Sequence, residues 1–115
     1  DILFRINAGA YSFEAANPRH EHEYHVFERV KLPAGKILIP GVISHTTNLV
    51  EHPELVAERI VRFAKIVGRE NVIAGADCGF AASALRFNDI HPSVAWLKFA
   101  ALAEGARLAT RELWK

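Results

Sequence analysis

The chain has 115 residues, half of them apolar and 23% charged, with a formal net charge of +1. That composition excludes a disordered or fibrous chain, and near-neutrality gives no electrostatic reason to expect nucleic acid or an anionic membrane as partner. No apolar run approaches the roughly 20 residues that span a bilayer, and the one cysteine, Cys78, cannot pair internally. The expectation is one ordinary globular unit in a reducing, cytoplasmic setting. The sequence starts at Asp1 and holds no methionine, so we expect a piece of something longer.

Residues 1–7 (DILFRIN) carry Ile2, Leu3 and Ile6 at helical spacing and read as the tail of a helix, stopped by Gly9. Residues 10–15 (AYSFEA) are short and aromatic enough for a strand, whose carboxyl end delivers Glu14 ahead of the turn signal Asn17-Pro18. Residues 18–30 (PRHEHEYHVFERV) read as a helix with proline in its first turn and Val26, Phe27 and Val30 as its apolar side. After a turn over 32–36, residues 36–43 (KILIPGVI) form a second apolar strand, in which Pro40-Gly41 predicts a bulge or a strand end. A polar loop, 44–51 (SHTTNLVE), leads to a helix opened by His52-Pro53-Glu54 and closed by Gly68. Its buried stripe is Leu55, Val56, Ile60, Phe63, Ala64 and Val67, with Glu58, Arg59, Arg62 and Lys65 on the wet side.

Residues 71–76 (NVIAGA) are a near-continuous apolar run, as expected of a strand buried on both faces of a parallel sheet. The run stops at Asp77-Cys78-Gly79, which puts Cys78 just past the carboxyl end of the strand. A looser stretch over 80–90 follows, then His91-Pro92 opens a long last helix with apolar Val94, Leu97, Ala101, Leu102 and Leu108. Small residues at Ala100, Ala103, Gly105 and Ala106 permit close packing there, and Trp96 and Trp114 read as packing residues. Strands separated by helices call for a parallel sheet. Three such strands leave apolar edges bare. The pattern looks like the last three or so βα units of a (β/α)8 TIM barrel, a fold of about 250 residues. We therefore expect residues 1–115 to be a partial barrel rather than a complete domain.

In parallel α/β folds, ligands bind where the strands end. Three such ends here carry Glu14, the Ser44-His45-Thr46 loop, and Asp77-Cys78. Carboxylate, imidazole and thiolate are all zinc ligands, although no short-range metal motif links them. Asp77 reads equally as a group that orients a neighbour or pairs with a substrate amine, and as a loop carboxylate accepting backbone N–H bonds. In the run Arg19 to His25, Glu21 and His25 stand four apart and would meet on a helix, within a mainly solvated face. Arg19 and His20, just beyond the Glu14 strand end, are placed to reach the site, where helix N-terminal amides would favour an anionic group.

The blocks SFEAANPRHEHE, LIPGVISHTTNLVEHPELVAERI and VGRENVIAGADCGF resemble the carboxyl-terminal part of the cobalamin-independent methionine synthase family. They are most similar to its single-barrel relatives, which include epoxyalkane:coenzyme M transferases. The resemblance runs over nearly the whole chain. It implies a barrel of the uroporphyrinogen-decarboxylase/methionine-synthase type and a zinc ion that binds the acceptor thiol. Family zinc ligands are a His-x-Cys pair, a glutamate and a later cysteine, and the last two correspond to Glu14 and Cys78.

The implied reaction is methyl transfer from a 5-methyltetrahydrofolate-type donor to homocysteine, giving methionine. The same logic also serves coenzyme M and an epoxide. His45 is then a candidate proton donor or substrate contact. Asp77 is a catalytic or orienting group, and Arg19, His20 and Ser44 are substrate-binding residues. The His-x-Cys pair belongs upstream of Asp1, in an amino-terminal barrel portion that the chain lacks. Where methionine synthases carry an aspartate followed by a histidine, this loop reads Ser44-His45-Thr46, and Ala76 stands where many relatives have threonine. The absence of methionine and of a His-x-Cys pair motivates a reading from another class, an inactive barrel fragment.

Overall fold

In the computed structural model, which describes residues 2–81 and 90–115, three short apolar runs pair as a parallel sheet in the order β1-β2-β3. They are β1 (Ala10–Phe13), β2 (Ile37–Ile43) and β3 (Gly75–Ala76). Between and after them lie α1 (Tyr24–Arg29), α2 (Pro53–Val67) and α3 (Pro92–Leu113), so the chain is a small α/β unit. The register runs from Ala10↔Ile37 to Phe13↔Pro40 on one side of β2, and pairs Gly41 with Gly75 and Ile43 with Ala76 on the other. The irregularity expected at Pro40-Gly41 is present as a register shift between Gly41 and Ile43, while the strand continues through it.

β2 is central, and Leu38, Val42 and Ile43 have no exposed surface. One core cluster joins Val42 and Ile43 to Val56, Ala57, Ile60 and Val61 of α2 and Ala109 of α3. A second joins Tyr11 and Leu38 to Phe27 of α1 and Phe63 of α2. There the Phe13 ring stacks on Phe27 at 5.2 Å and meets Phe63 edge-on at 5.8 Å, arrangements that add to simple burial.

The two long helices start alike. Each follows a His-Pro pair, with the histidine Nδ1 accepting the backbone N–H two residues on: His52 from Glu54 at 3.2 Å, His91 from Ser93 at 3.2 Å. Proline at the first helical position is pre-set for the helix and lacks a donor that would be unpaired there anyway. Gly68 ends α2 with φ +97°, a backbone that side chains rarely adopt.

Elsewhere the local signals are overruled. The expected helix tail at the start is a single 3-10 turn, Leu3–Arg5. Residues 18–23 form turns, in which the His20 and Glu21 amides both bond the Asn17 carbonyl (3.0 and 2.9 Å), and the helix is confined to Tyr24–Arg29. Of its expected apolar side only Phe27 is buried, and Val26 is 49% exposed. Glu21 and His25 do not meet: Glu21 faces Arg59 at 3.4 Å and His25 faces Glu28 at 2.6 Å. Arg59 is accordingly not a wet residue, since it also donates to the Val42 carbonyl at 3.0 Å.

The third strand is shorter than expected, and it is not buried on both faces. A 3-10 turn, Arg69–Asn71, takes its first residue, Leu38↔Val72 is an isolated bridge, and Ile73 is 52% exposed at the sheet edge. Leu55 and Leu97 also face outward. Trp96 is 73% exposed and only grazes Phe99, while half-exposed Trp114 lies beneath the Arg69 guanidinium, 4.1 Å from the ring centre. The loose stretch expected over 80–90 lies largely outside the described residues.

Candidate metal centre

Glu14 is the first residue after β1, His45 the second after β2, and Cys78 the second after β3. Because the strands are parallel and adjacent, their carboxyl ends share one edge of the sheet, and three residues distant in sequence converge there. One donor atom from each of Glu14, His45 and Cys78 lies within 4.8 Å of the others. Glu14 and His45 are half-buried and Cys78 is exposed.

The scaffold beneath this cluster is built on Asp77. Its backbone N–H continues the sheet by donating to the Ile43 carbonyl at 3.0 Å. Its Oδ1 accepts the Ala15 and Ala16 amides at 2.8 Å each, and its Oδ2 accepts from Asn17 Nδ2 at 2.8 Å. The same Asn17 nitrogen donates to Glu14 Oε2 at 3.0 Å, and Asn17 Oδ1 accepts the Arg19 amide at 3.1 Å. Asp77 and Asn17 are buried, and a buried carboxylate is tolerable when its lone pairs are filled in this way. The close approach needs Gly41: a Cβ there would lie 2.0 Å from Asp77 Oδ1 and 2.7 Å from its Cα.

The His45 loop is tied down separately. The Ser44 amide donates to Glu51 Oε2 at 2.5 Å, and the Thr46 amide donates to Ser44 Oγ at 3.1 Å. Glu51 Oε1 pairs with Lys98 Nζ at 2.8 Å, and Lys98 also donates to the Leu49 carbonyl at 2.6 Å. The Lys98 side chain is 0% and the Glu51 side chain 8% exposed, so both ends of the loop are fixed to α3 by a buried ion pair.

The expected site residues are thus distributed as follows. Glu14, His45 and Cys78 are gathered, and Asp77 stands directly beneath them with both oxygens committed to the turn after β1. Ser44 turns its hydroxyl to Thr46 Oγ1 at 2.8 Å. His20 approaches Glu14 Oε2 at 3.7 Å through Nε2 and bonds Glu23 through Nδ1 at 3.0 Å. Arg19 lines a cleft of about 370 Å³ together with Glu14, Asn17, Pro18, His45 and Thr46. Sequence reasoning missed Asn17, read only as a turn signal, and the Glu51–Lys98 pair. A lysine amid the apolar run VAWLKFAAL was the one available hint of the latter.

The donor set suits a metal of zinc's kind. Oxygen, nitrogen and sulfur are all accepted by Zn²⁺, and bond lengths of about 2.0–2.3 Å put neighbouring donors roughly 3.3–3.7 Å apart. Closing from 4.8 Å to that spacing asks about 1 Å of movement, within reach of an exposed cysteine side chain. His45 Nδ1 is buried and has no hydrogen-bond partner among the described residues. Such a nitrogen costs about 1–3 kcal/mol if left unpaired.

No family profile matches the chain, and no curated protein does. Among solved structures, a B12-independent methionine synthase from Shewanella sp. W3-18-1, in complex with selenomethionine, superimposes with a TM-score of 0.78. The match covers 98% of this chain at 24% identity and 30% of that one, so the chain spans less than a third of that protein's length. The likeness shows a shared fold over that segment.

Proposed function

We propose that the chain is the zinc-binding carboxyl-terminal portion of a methionine-synthase-like (β/α)8 barrel. It would act in methyl transfer to a thiol, most simply from a methylfolate-type donor to homocysteine. The observation that carries this reading is the convergence of Glu14, His45 and Cys78 at the carboxyl ends of three adjacent parallel strands. The fold shared with a segment of a methionine synthase supports it.

Glu14 and Cys78 would hold the zinc. Bound there, zinc would supply acidity: a thiol is mostly protonated at neutral pH, and coordination removes that proton. The chain's own groups do the rest. Asp77 and Asn17 fix the turn that carries Glu14, so the carboxylate is presented without a search for its rotamer. The exposed face of Cys78 leaves room for an incoming sulfur. Arg19, at the rim of the cleft, offers a guanidinium to the carboxylate of an amino-acid acceptor, a pairing that orients the substrate and replaces a bimolecular encounter with a positioned one.

The test is metal content per chain after purification without added metal, beside Cys78→Ala. Zinc near one per chain, lost in the variant, is the expected result. No zinc in either protein would reduce the chain to an inert barrel fragment.

A further inference from the structure

We infer that Glu51, held by Lys98 of α3, is a positioning residue for the site: it takes the Ser44 amide and so sets where His45 and Thr46 stand as one wall of the cleft. The use made of that wall rests on the function proposed above, but the chain of contacts does not. No particular chemistry of His45 is needed for it. A metal ligand, a proton donor and a substrate contact must all be delivered to one place.

Lys98 lies in the buried stripe of α3 with Ala101, Gly105 and Ala109, where an apolar side chain would be the ordinary occupant. Its side chain is fully enclosed, and Nζ donates to the Leu49 carbonyl at 2.6 Å and to Glu51 Oε1 at 2.8 Å. Taking two charges out of water gives such a pair little or no advantage in stability over an apolar pair of similar volume. What the pair does give is direction. With Oε1 committed to Lys98, Oε2 accepts the Ser44 amide at 2.5 Å and closes the 44–51 loop on itself. Ser44 Oγ in turn accepts the Thr46 amide at 3.1 Å, so the residues on both sides of His45 are anchored. The opposite wall, the turn through Asn17, is anchored in the same way by Asp77, whose carboxylate takes the Ala15 and Ala16 amides and the Asn17 side chain. Each wall of the cleft hangs on one enclosed carboxylate.

The experiment follows His45 by NMR in the full, metal-free chain and in three variants: Lys98→Met, Lys98→Met with Glu51→Gln, and Lys98→Met with Glu51→Leu. The imidazole proton–carbon signals of His45 are assigned by their loss in His45→Gln, and hydrogen exchange of the Ser44 amide is read beside them. Both double variants lose the charges and the bond to the Leu49 carbonyl, and urea unfolding matches them for stability. They differ in whether the side chain at position 51 can accept the Ser44 amide. With Glu51→Gln, the His45 signals stay where the unaltered chain has them. With Glu51→Leu they move toward their unfolded positions, and Ser44 exchange becomes about 10–100-fold faster, as loss of a hydrogen bond to a charged acceptor requires. In Lys98→Met alone the stranded carboxylate turns to water, and the signals move in the same way. Signals that hold in Lys98→Met or in the Glu51→Leu variant, or that move equally in both double variants, overturn the inference. So does a Ser44 amide that exchanges as freely as an unprotected one in the unaltered chain, a reading that needs no variant to fold. None of these readings needs zinc, so the proposed function and this inference can fail separately.

Discussion

Both oxygens of Asp77 accept hydrogen bonds from the turn after β1, and that turn carries Glu14. Replacing Asp77 with alanine would leave the Ala15 and Ala16 amides without this acceptor in a buried pocket, and Asn17 with one bond fewer. Each such loss costs about 1–3 kcal/mol. Allowing for water entering the space, Asp77→Ala should lower stability by on the order of 3 kcal/mol, measured by urea denaturation. Metal affinity should fall as well, because Glu14 loses its mount. A change near zero would remove Asp77 from the framework of the site.

At this scale the candidate ligands were legible because each directly follows a strand, and strands are readable as apolar runs. Asn17 was not. Its role depends on a bond to a residue 60 positions away, and nothing local distinguishes it from any Asn-Pro turn.

Among the elements, α2 and α3 pack closely at Gly105. A Cβ there would lie 2.4 Å from Val56 Cγ1 and 2.8 Å from the Pro53 carbonyl oxygen. Two effects oppose each other in Gly105→Ala. Helix propensity favours alanine by about 1 kcal/mol, and overpacking costs about 1–3 kcal/mol. The contact is with a β-branched side chain and backbone, which cannot easily yield, so we expect net destabilisation of about 1 kcal/mol by thermal melting. Net stabilisation would show that the helices are not in such close contact.

The Glu51–Lys98 pair joins α3 to the loop after β2. Lys98→Met strands Glu51 as an uncompensated buried carboxylate, a change that typically costs about 3–5 kcal/mol. Adding Glu51→Leu should recover part of the stability, as an apolar pair fills the space. It should not restore metal affinity, because Glu51→Leu takes away the acceptor of the Ser44 amide. Equal recovery of both would separate this pair from the site.

The long helices were readable from their His-Pro starts, apolar stripes and the glycine stop. α1 was not: turns take up the stretch before Tyr24, although the Asn17 carbonyl accepts the amides of His20 and Glu21, and only Phe27 of the expected apolar side is buried. The third strand shrank for a related reason. An apolar run states that burial is available, but not that the strand lies at the sheet edge, where Ile73 is half-exposed.

Taken whole, the described molecule is a three-stranded parallel sheet backed by helices, with Glu14, His45 and Cys78 collected on the carboxyl edge. Alternation of strands and helices predicted that architecture, and the solved methionine synthase shares it over a segment of its length. Among the described residues, no helix is long and apolar enough to cross a membrane. The proposed function requires that Glu14 and Cys78 hold zinc in a form that takes up a thiol. Zinc K-edge X-ray absorption on the zinc-loaded chain, before and after homocysteine is added, tests it most directly. One sulfur among the nearest neighbours of zinc is expected without homocysteine, and two with it. A shell that contains no sulfur, or one that homocysteine leaves unchanged, would contradict it.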